Sequence, residues 1–177
     1  MQLTELVTQA SAKAIASMES TQGVLNPFTL LLRPSVKKDN LQLTVTKFAS
    51  ELPEQSLQQA QASLKSNVGI LMYALAWPSS VTMNGRTWDA VLVECGTPES
   101  DEGEIYAQCY EQQRIGLFKT KFRILPFGEP FIVSKCASKL WSTQKTHQQP
   151  NLQAFDDWHA WIGVLSEQRR QETRMLH

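Results

Sequence analysis

Residues 68–94 read VGILMYALAWPSSVTMNGRTWDAVLVE, and this stretch decides the fold. Two long apolar runs flank Asn84-Gly85. Asn-Gly between β-prone runs is typical of a two-residue type I′ turn, because both central residues of that turn need positive φ. The stretch therefore predicts a central hairpin. The expected cross-strand pairs are Met83 with Arg86, Thr82 with Thr87, and Val81 with Trp88.

The incoming strand of this hairpin contains a proline. Pro78 has no N–H to donate to a ladder, so we expect a bend or bulge over residues 78–80. On the returning strand, both faces are largely apolar after Asp89. That pattern predicts a strand inside a sheet, with at least partial cover on each side.

The bulk properties describe one neutral globular domain. A chain of 177 residues is long enough for a single hydrophobic core, so we expect one domain over residues 1–177. The 17 basic and 17 acidic residues cancel. This balance argues against nucleic acid and anionic membranes as partners, because both attract proteins chiefly through positive charge.

The N-terminal residues have neither the basic stretch nor the apolar run of a signal peptide, and no segment has the pattern of a membrane span. We therefore expect a cytoplasmic location and no membrane partner. The three cysteines, Cys95, Cys109 and Cys136, are odd in number and widely spaced. In that compartment they are expected as reduced thiols that behave as small buried side chains.

Three segments have helical patterns. Residues 2–19 place apolar side chains along one stripe, residues 50–66 carry Pro53 in the first turn, and Asn151 can cap a third helix. The β-prone segments between them are joined by turns rather than by helical crossovers. The order predicts an α+β fold with a mainly antiparallel sheet of about six or seven strands and with N-terminal, middle and C-terminal helices.

Two segments outside the central hairpin have contrasting patterns. Leu41, Leu43 and Val45 alternate with polar residues, which predicts a half-exposed strand that forms a first hairpin with residues 28–33. Residues 134–150 are polar and poorly patterned, so we expect an irregular connection there.

Two carboxylates are the candidates for catalysis. Asp89 and Glu94 lie on or beside an apolar strand, where partial burial can raise the pKa of a carboxyl group and suit it to acid–base work. They are five residues apart, so they should point to opposite faces of the sheet. This argues against a paired-carboxylate mechanism. An edge position or a bond to Arg86 is the structural alternative.

A set of basic and aromatic residues suggests a second type of site. Lys119, Lys121 and Arg123 would share one strand face, and Tyr106 and Tyr110 on a neighbouring strand could supply the stacking surfaces that single-stranded nucleic acid uses. A solvated sheet face, or cross-strand pairs with glutamates, explains the same residues. We favour the solvated face because the chain is neutral.

The signals for metal binding are weak. Residues 99–104 are acidic but lack the full calcium-loop spacing, so a solvated loop is the better interpretation. His159 follows Asp156 by three residues on the predicted last helix, yet two ligands do not make a site. We predict no metal site and no cofactor.

The last helix carries more aromatic surface than one buried stripe needs. Trp158 and Trp161 are three residues apart, so one of them is expected at the surface, where tryptophan commonly anchors interfaces. The leading hypothesis is a non-catalytic cytosolic protein-interaction module: an adaptor, a chaperone-like protein or a neutralising partner. Its partner would be another protein or a second copy of the chain. The alternative is a small-ligand-binding protein or enzyme with a carboxylate-containing pocket over the sheet.

Overall fold

The computed structural model describes residues 1–35, 41–115 and 121–139. These residues form two helices and seven strands, so the predicted α+β class is confirmed. The predicted helix after Asn151 lies outside the described residues. The helices are α1 (Leu3–Ser20) and α2 (Pro53–Ser66), and the strands are β1 (Phe28–Pro34), β2 (Leu41–Lys47), β3 (Met72–Met83), β4 (Arg86–Gly96), β5 (Glu102–Ile115), β6 (Lys121–Pro126) and β7 (Phe131–Ala137).

The strands form one sheet in the order β2-β1-β3-β4-β5-β6, and every pairing is antiparallel. The seventh strand, β7, pairs with β5 as well. β7 extends to Ala137, so residues 134–137 belong to a strand. The prediction of an irregular connection over those four residues was therefore wrong: an edge strand whose residues are mostly exposed needs no apolar pattern.

The central hairpin has the predicted register. Met83 pairs with Arg86, and the pairing continues without a break to Tyr73 and Gly96. Asn84 and Gly85 have φ values of 52° and 75°, the positive values that a type I′ turn requires.

The predicted bend or bulge at Pro78 is absent. β3 is continuous, and Pro78 pairs with Val91 in an unbroken register. Met83 and Arg86, beside the turn, form a hydrogen-bonded pair, and such pairs alternate along the hairpin with pairs that exchange no hydrogen bonds. Pro78 and Val91 form a pair of the second kind, so the nitrogen of Pro78 faces the β1 side rather than β4. There the β1–β3 pairing has already ended at Phe28 and Ala76. No bond is lost, and the strand continues past Pro78 without a bulge.

The two helices cover different faces of the sheet. α1 contacts β3, β4 and β6, and we call the surface beneath it the α1 face. α2 contacts β1 and β3. The buried residues of α2 do not belong to the α1 core, which assigns α2 to the second face. The α1 core includes Leu6, Val7, Ala10, Ala14 and Met18 of the helix and Phe28, Leu30, Ala74, Ala76, Val91 and Val93 of the sheet.

No helix in the part of the chain that the structure describes is long and apolar enough to cross a membrane.

Candidate functional site

β2 is an edge strand of the sheet. Its seven residues, Leu41–Lys47, pair with β1 in a regular register from Phe28–Lys47 to Pro34–Leu41. Among the described residues, no strand pairs with its other side. The strand forms because alternating apolar and β-branched residues suit a pleated surface.

An exposed apolar row runs along this strand. The side chains of Leu41, Leu43 and Val45 are 54%, 37% and 37% exposed, and we call these three residues the β2 row. The row lies on the α1 face, since Val45 and Leu43 pair with Leu30 and Leu32 of β1. It stays exposed because α1 packs chiefly on β3, β4 and β6 rather than on β2.

The backbone groups of the β2 row also face outward. The two-residue turn closes on a hydrogen-bonded pair, so odd-numbered residues of β3 bond to β4 and even-numbered ones to β1. The even-numbered residues of β1 face those of β3 and bond to them, so the odd-numbered residues of β1 bond to β2. Their partners on β2 are the even-numbered residues. The bond from Phe48 N to Pro27 O, 2.8 Å, continues the pattern. The N–H and C=O groups of Leu41, Leu43 and Val45 therefore point to the open side.

The open side lacks the usual protection of an edge strand. Proteins block edges with proline, a bulge or a charge in mid-strand. From Leu41 to Thr46 the strand has no proline and no charge, and its register with β1 has no shift. The one charge is terminal: Lys47 Nζ donates a hydrogen bond of 3.4 Å to Ser17 Oγ at the end of α1.

A second arrangement of interest lies on the second face, around Glu94. This carboxylate is 2% exposed and accepts a 2.8 Å hydrogen bond from the Tyr73 hydroxyl. The Tyr73 oxygen in turn accepts a 3.0 Å bond from the backbone N–H of Lys139, just beyond β7. Two glycines leave room for the ring: a Cβ on Gly96 would lie 2.8 Å from it, and one on Gly103 would lie 3.5 Å from its hydroxyl.

The electrostatics of this buried group follow from desolvation. Burial raises the pKa of Glu94, and the charge of Lys139 and the hydrogen bond from Tyr73 oppose that rise. Burial and the neighbouring carboxylate also raise the pKa of the Tyr73 hydroxyl. Raised pKa values of this kind occur at active sites and in structural networks alike. Here the carboxylate is almost fully buried and hydrogen-bonded to Tyr73, which favours a structural network.

Two cavities accompany these features, and neither contains the predicted site residues. One of about 180 Å³ is lined by Leu3, Cys95, Thr97 and the acidic Glu102 and Glu104. The other, of about 390 Å³, is a mostly apolar groove between α1 and the β6–β7 connection. Asp89, Glu94, Tyr106 and Tyr110 line neither of them.

The structure separates the predicted catalytic pair. Asp89 is exposed on β4 opposite Ser80, whereas Glu94 is buried opposite Leu75. Their side chains lie on opposite faces, as their spacing predicts. A shared carboxylate mechanism is therefore not available to them.

Tyr106 and Tyr110 lie in the α1 core. They are 7% and 9% exposed, and the Tyr106 hydroxyl donates a 2.8 Å bond to Glu104. Burial is the largest cause that raises the pKa of Tyr106 to about 12. A stacking platform needs an open ring face, and both tyrosines are buried in the core on the α1 face. A binding role for these two residues therefore remains a prediction that would require the core to open.

The other predicted binding residues, Trp158 and Trp161, lie outside the described residues, as do Asp156 and His159. Residues 102–104 of the predicted acidic loop belong to β5, so the loop is shorter than expected. Glu102 pairs with Lys135 at 3.1 Å, with both side chains about two-thirds exposed (67% and 69%). No group of three metal-ligating side chains occurs in residues 1–35, 41–115 and 121–139.

The cysteines behave as small buried side chains. Cys95 and Cys109 are buried, Cys136 is half-buried, and all three are free thiols. Burial raises the pKa of Cys95 and of Cys136 to about 12, so both stay protonated near neutral pH. A protonated thiol is a poor nucleophile.

Neither the β2 row as a site nor Tyr73 as the partner of Glu94 was predicted from the sequence. The alternation of Leu41, Leu43 and Val45 was visible, but it indicates only that one face is apolar. Which faces the helices cover depends on packing between distant segments. Comparison with known proteins finds no matching family model, no matching characterised protein and no matching solved structure.

Proposed function

We propose that this protein is a non-catalytic protein-interaction module and that the open edge of β2 is its binding surface. One observation carries the proposal: the β2 row combines exposed apolar side chains with backbone groups that point outward. An added strand would satisfy those backbone groups and cover the side chains, which is the recognition mode called β-augmentation. Full burial of one leucine side chain is worth about 1.5–3 kcal/mol, so even partial cover is a substantial driving force.

The role we propose for this module is that of an adaptor, a chaperone-like protein or a neutralising partner in the cytoplasm. A net charge of zero supports a protein partner over a nucleic acid. The strand-addition mode supports a partner that offers an extended segment, because a free strand is what completes a sheet edge.

The test compares three forms of the tagged chain after purification from the native cell. Leu43→Lys puts a charge in the centre of the β2 row, whereas Thr46→Lys puts the same charge on the exposed second face of the same strand. We expect the wild type and Thr46→Lys to retain a stoichiometric partner and Leu43→Lys to lose it. Equal recovery from all three forms would place the binding surface elsewhere and overturn the proposal.

The alternative is a small-ligand-binding protein or enzyme, and the buried Glu94–Tyr73 pair is the observation in its favour. It is the weaker proposal because Glu94 lines neither of the two cavities. A thermal-shift screen of small metabolites on the wild type and Glu94→Gln tests it. A ligand that stabilises the wild type but not the variant would favour this function over the first.

A further inference from the structure

We propose that the partner at this edge is a second copy of the chain, and that two β2 strands pair antiparallel about a two-fold axis through Leu43. The inference rests on the proposed function, since it names the occupant of the same surface. The two copies would then share one continuous sheet, with β2 of each copy at its centre.

The β2 row is self-complementary in this register. In an antiparallel pair centred on Leu43, residues at equal distances from the centre face each other. Leu43 then faces Leu43, and Leu41 of each copy faces Val45 of the other. All three exposed apolar side chains gain an apolar cross-strand neighbour, which is the unit of stabilisation between strands.

The backbone of the row matches the same register. Leu41, Leu43 and Val45 are the residues whose N–H and C=O groups point outward, as the register of β1 with β2 requires. Centring on Leu43 makes each of the three facing pairs a hydrogen-bonded pair, with two bonds exchanged in each. No outward donor of the row is left without a partner.

Charge does not oppose a second copy. The row is uncharged, and the chain as a whole has a formal net charge of zero, so two copies do not repel each other. The register shifted by two residues, centred on Thr44, would instead set Lys47 against Leu41. That arrangement places a charge beside an apolar side chain, so the Leu43-centred register is the one proposed.

The assembly closes at two copies. The axis of an antiparallel strand pair is perpendicular to the sheet, so both rows and both α1 helices lie on the same side of the joined sheet. An interface of this kind uses the same patch on each copy and leaves no further copy of that patch exposed. A dimer is therefore expected rather than a filament.

The first experiment measures the mass of the full chain in solution by light scattering and the dissociation constant by sedimentation. The chain is 20.0 kDa, so a dimer of two chains has twice that mass, 40.0 kDa. Leu43→Lys sets two ammonium groups against each other at the axis, and we expect the dissociation constant to rise by about tenfold or more. Thr46→Lys should leave it unchanged, and circular dichroism should match the wild type for both variants.

The second experiment tests the register by cross-linking. Facing residues of a hydrogen-bonded pair have Cα atoms about 5.5 Å apart, within the range that a disulfide spans. Under mild oxidation with diamide, Leu43→Cys should give a covalent dimer, whereas Thr44→Cys and the wild type should not. Cross-linking through Thr44→Cys instead would overturn the proposed register.

The outcomes separate this inference from the proposed function. A monomeric wild type that loses a different protein partner on Leu43→Lys would overturn the second copy as occupant but keep the interaction role of β2. A dimer that Leu43→Lys leaves intact would place self-association on another surface and overturn the inference. A monomer that binds no partner in any form would count against both.

Discussion

The two edges of the sheet are built differently. β2 is one uninterrupted strand with a regular register and an apolar row. The far edge is divided, because β5 pairs with β7 along its first half and with β6 along its second. A register shift between Ile105 and Tyr106 leaves Val133 of β7 as an extra residue, and Pro126 and Pro130 bracket the β6–β7 connection.

The difference shows what an edge needs if it is to remain unpaired. Ile132 and Val133 of β7 are 53% and 39% exposed, so apolar exposure alone does not distinguish the edges. The far edge is interrupted by a bulge and carries Lys135 in mid-strand, both of which hinder the addition of another strand. β2 has neither device, and this contrast is why we propose β2 as the interaction site.

The largest expected effect is a loss of folding stability from a substitution in β5 at the far edge. Gly103→Ala would place a Cβ 2.8 Å from the carbonyl oxygen of Cys95 and 3.1 Å from Cys136 Sγ. Overpacking of this kind costs about 1–3 kcal/mol. We expect the free energy of unfolding in urea to fall by that amount. Ser134→Ala, at an exposed position on β7, is the control and should change it by less than about 0.5 kcal/mol. Equal stability of Gly103→Ala would mean that β5 and β7 are less tightly apposed.

The next effect comes from a proline that should block the open edge of β2. Leu43→Pro removes an N–H that points outward, not one that bonds to β1, so the fold should tolerate it. We expect the self-association constant to weaken by about tenfold or more, while the free energy of unfolding in dilute solution changes by less than about 1 kcal/mol. Sedimentation and urea denaturation measure the two quantities. Loss of folding would contradict the strand alternation derived for β2.

A smaller effect concerns the hydrogen bonds that hold the end of β7. Burial raises the pKa of Glu94 above its ordinary value of 4.5, so above that pH the native state binds more protons than the unfolded chain. The free energy of unfolding should therefore fall as the pH rises from 4.5 through the raised pKa. Glu94→Gln removes this titration and should flatten the slope, as urea denaturation at a series of pH values would measure.

Tyr73→Phe is the matched comparison for that slope. It keeps the carboxyl group but removes the hydrogen bond that lowers its pKa. The decline in stability should therefore continue to higher pH than in the wild type. The amide of Lys139, which donates to the Tyr73 hydroxyl, should exchange its hydrogen faster in this variant. A slope unchanged in both variants would show that Glu94 does not titrate in this interval.

The smallest effect is that of the exposed ion pair at the far edge. Lys135→Ala breaks the contact with Glu102, whose side chain is 67% exposed, so the free energy of unfolding should change by less than about 0.5 kcal/mol. The association state should not change either, because the bulge remains. New aggregation of this variant would show that the lysine alone protects the edge.

Local chemistry explains what could be predicted from the sequence. The Asn84-Gly85 turn fixed the register of the central hairpin, since that turn type depends on two residues only. The expected bulge at Pro78 was wrong because the effect of a proline depends on where the neighbouring strand ends. Here β1 begins at Phe28, opposite Ala76, so no strand in the described part of the chain faces the nitrogen of Pro78.

The candidate site was less predictable for the same reason. Tyr106 and Tyr110 alternate as expected, but which face α1 covers is decided by packing between distant residues, and it covers theirs. The β2 row is a candidate site because α1 packs chiefly on other strands, which the sequence alone does not indicate. Tyr73 was not identified as the partner of Glu94, although the hairpin register places it two residues from Leu75, which faces Glu94.

The ladder between β1 and β3 ends just before a proline at each end. Pro34 lies two residues beyond Leu32, and Pro78 lies two residues beyond Ala76, which are the last paired residues at the two ends. A slip of β1 by two residues would keep every side chain on its own face and would lengthen the overlap to Phe28–Pro34 opposite Met72–Pro78. In that slipped ladder both prolines would occupy donor positions that they cannot fill. During folding, the two prolines therefore discriminate against the longer mispairing and select the shorter, native one.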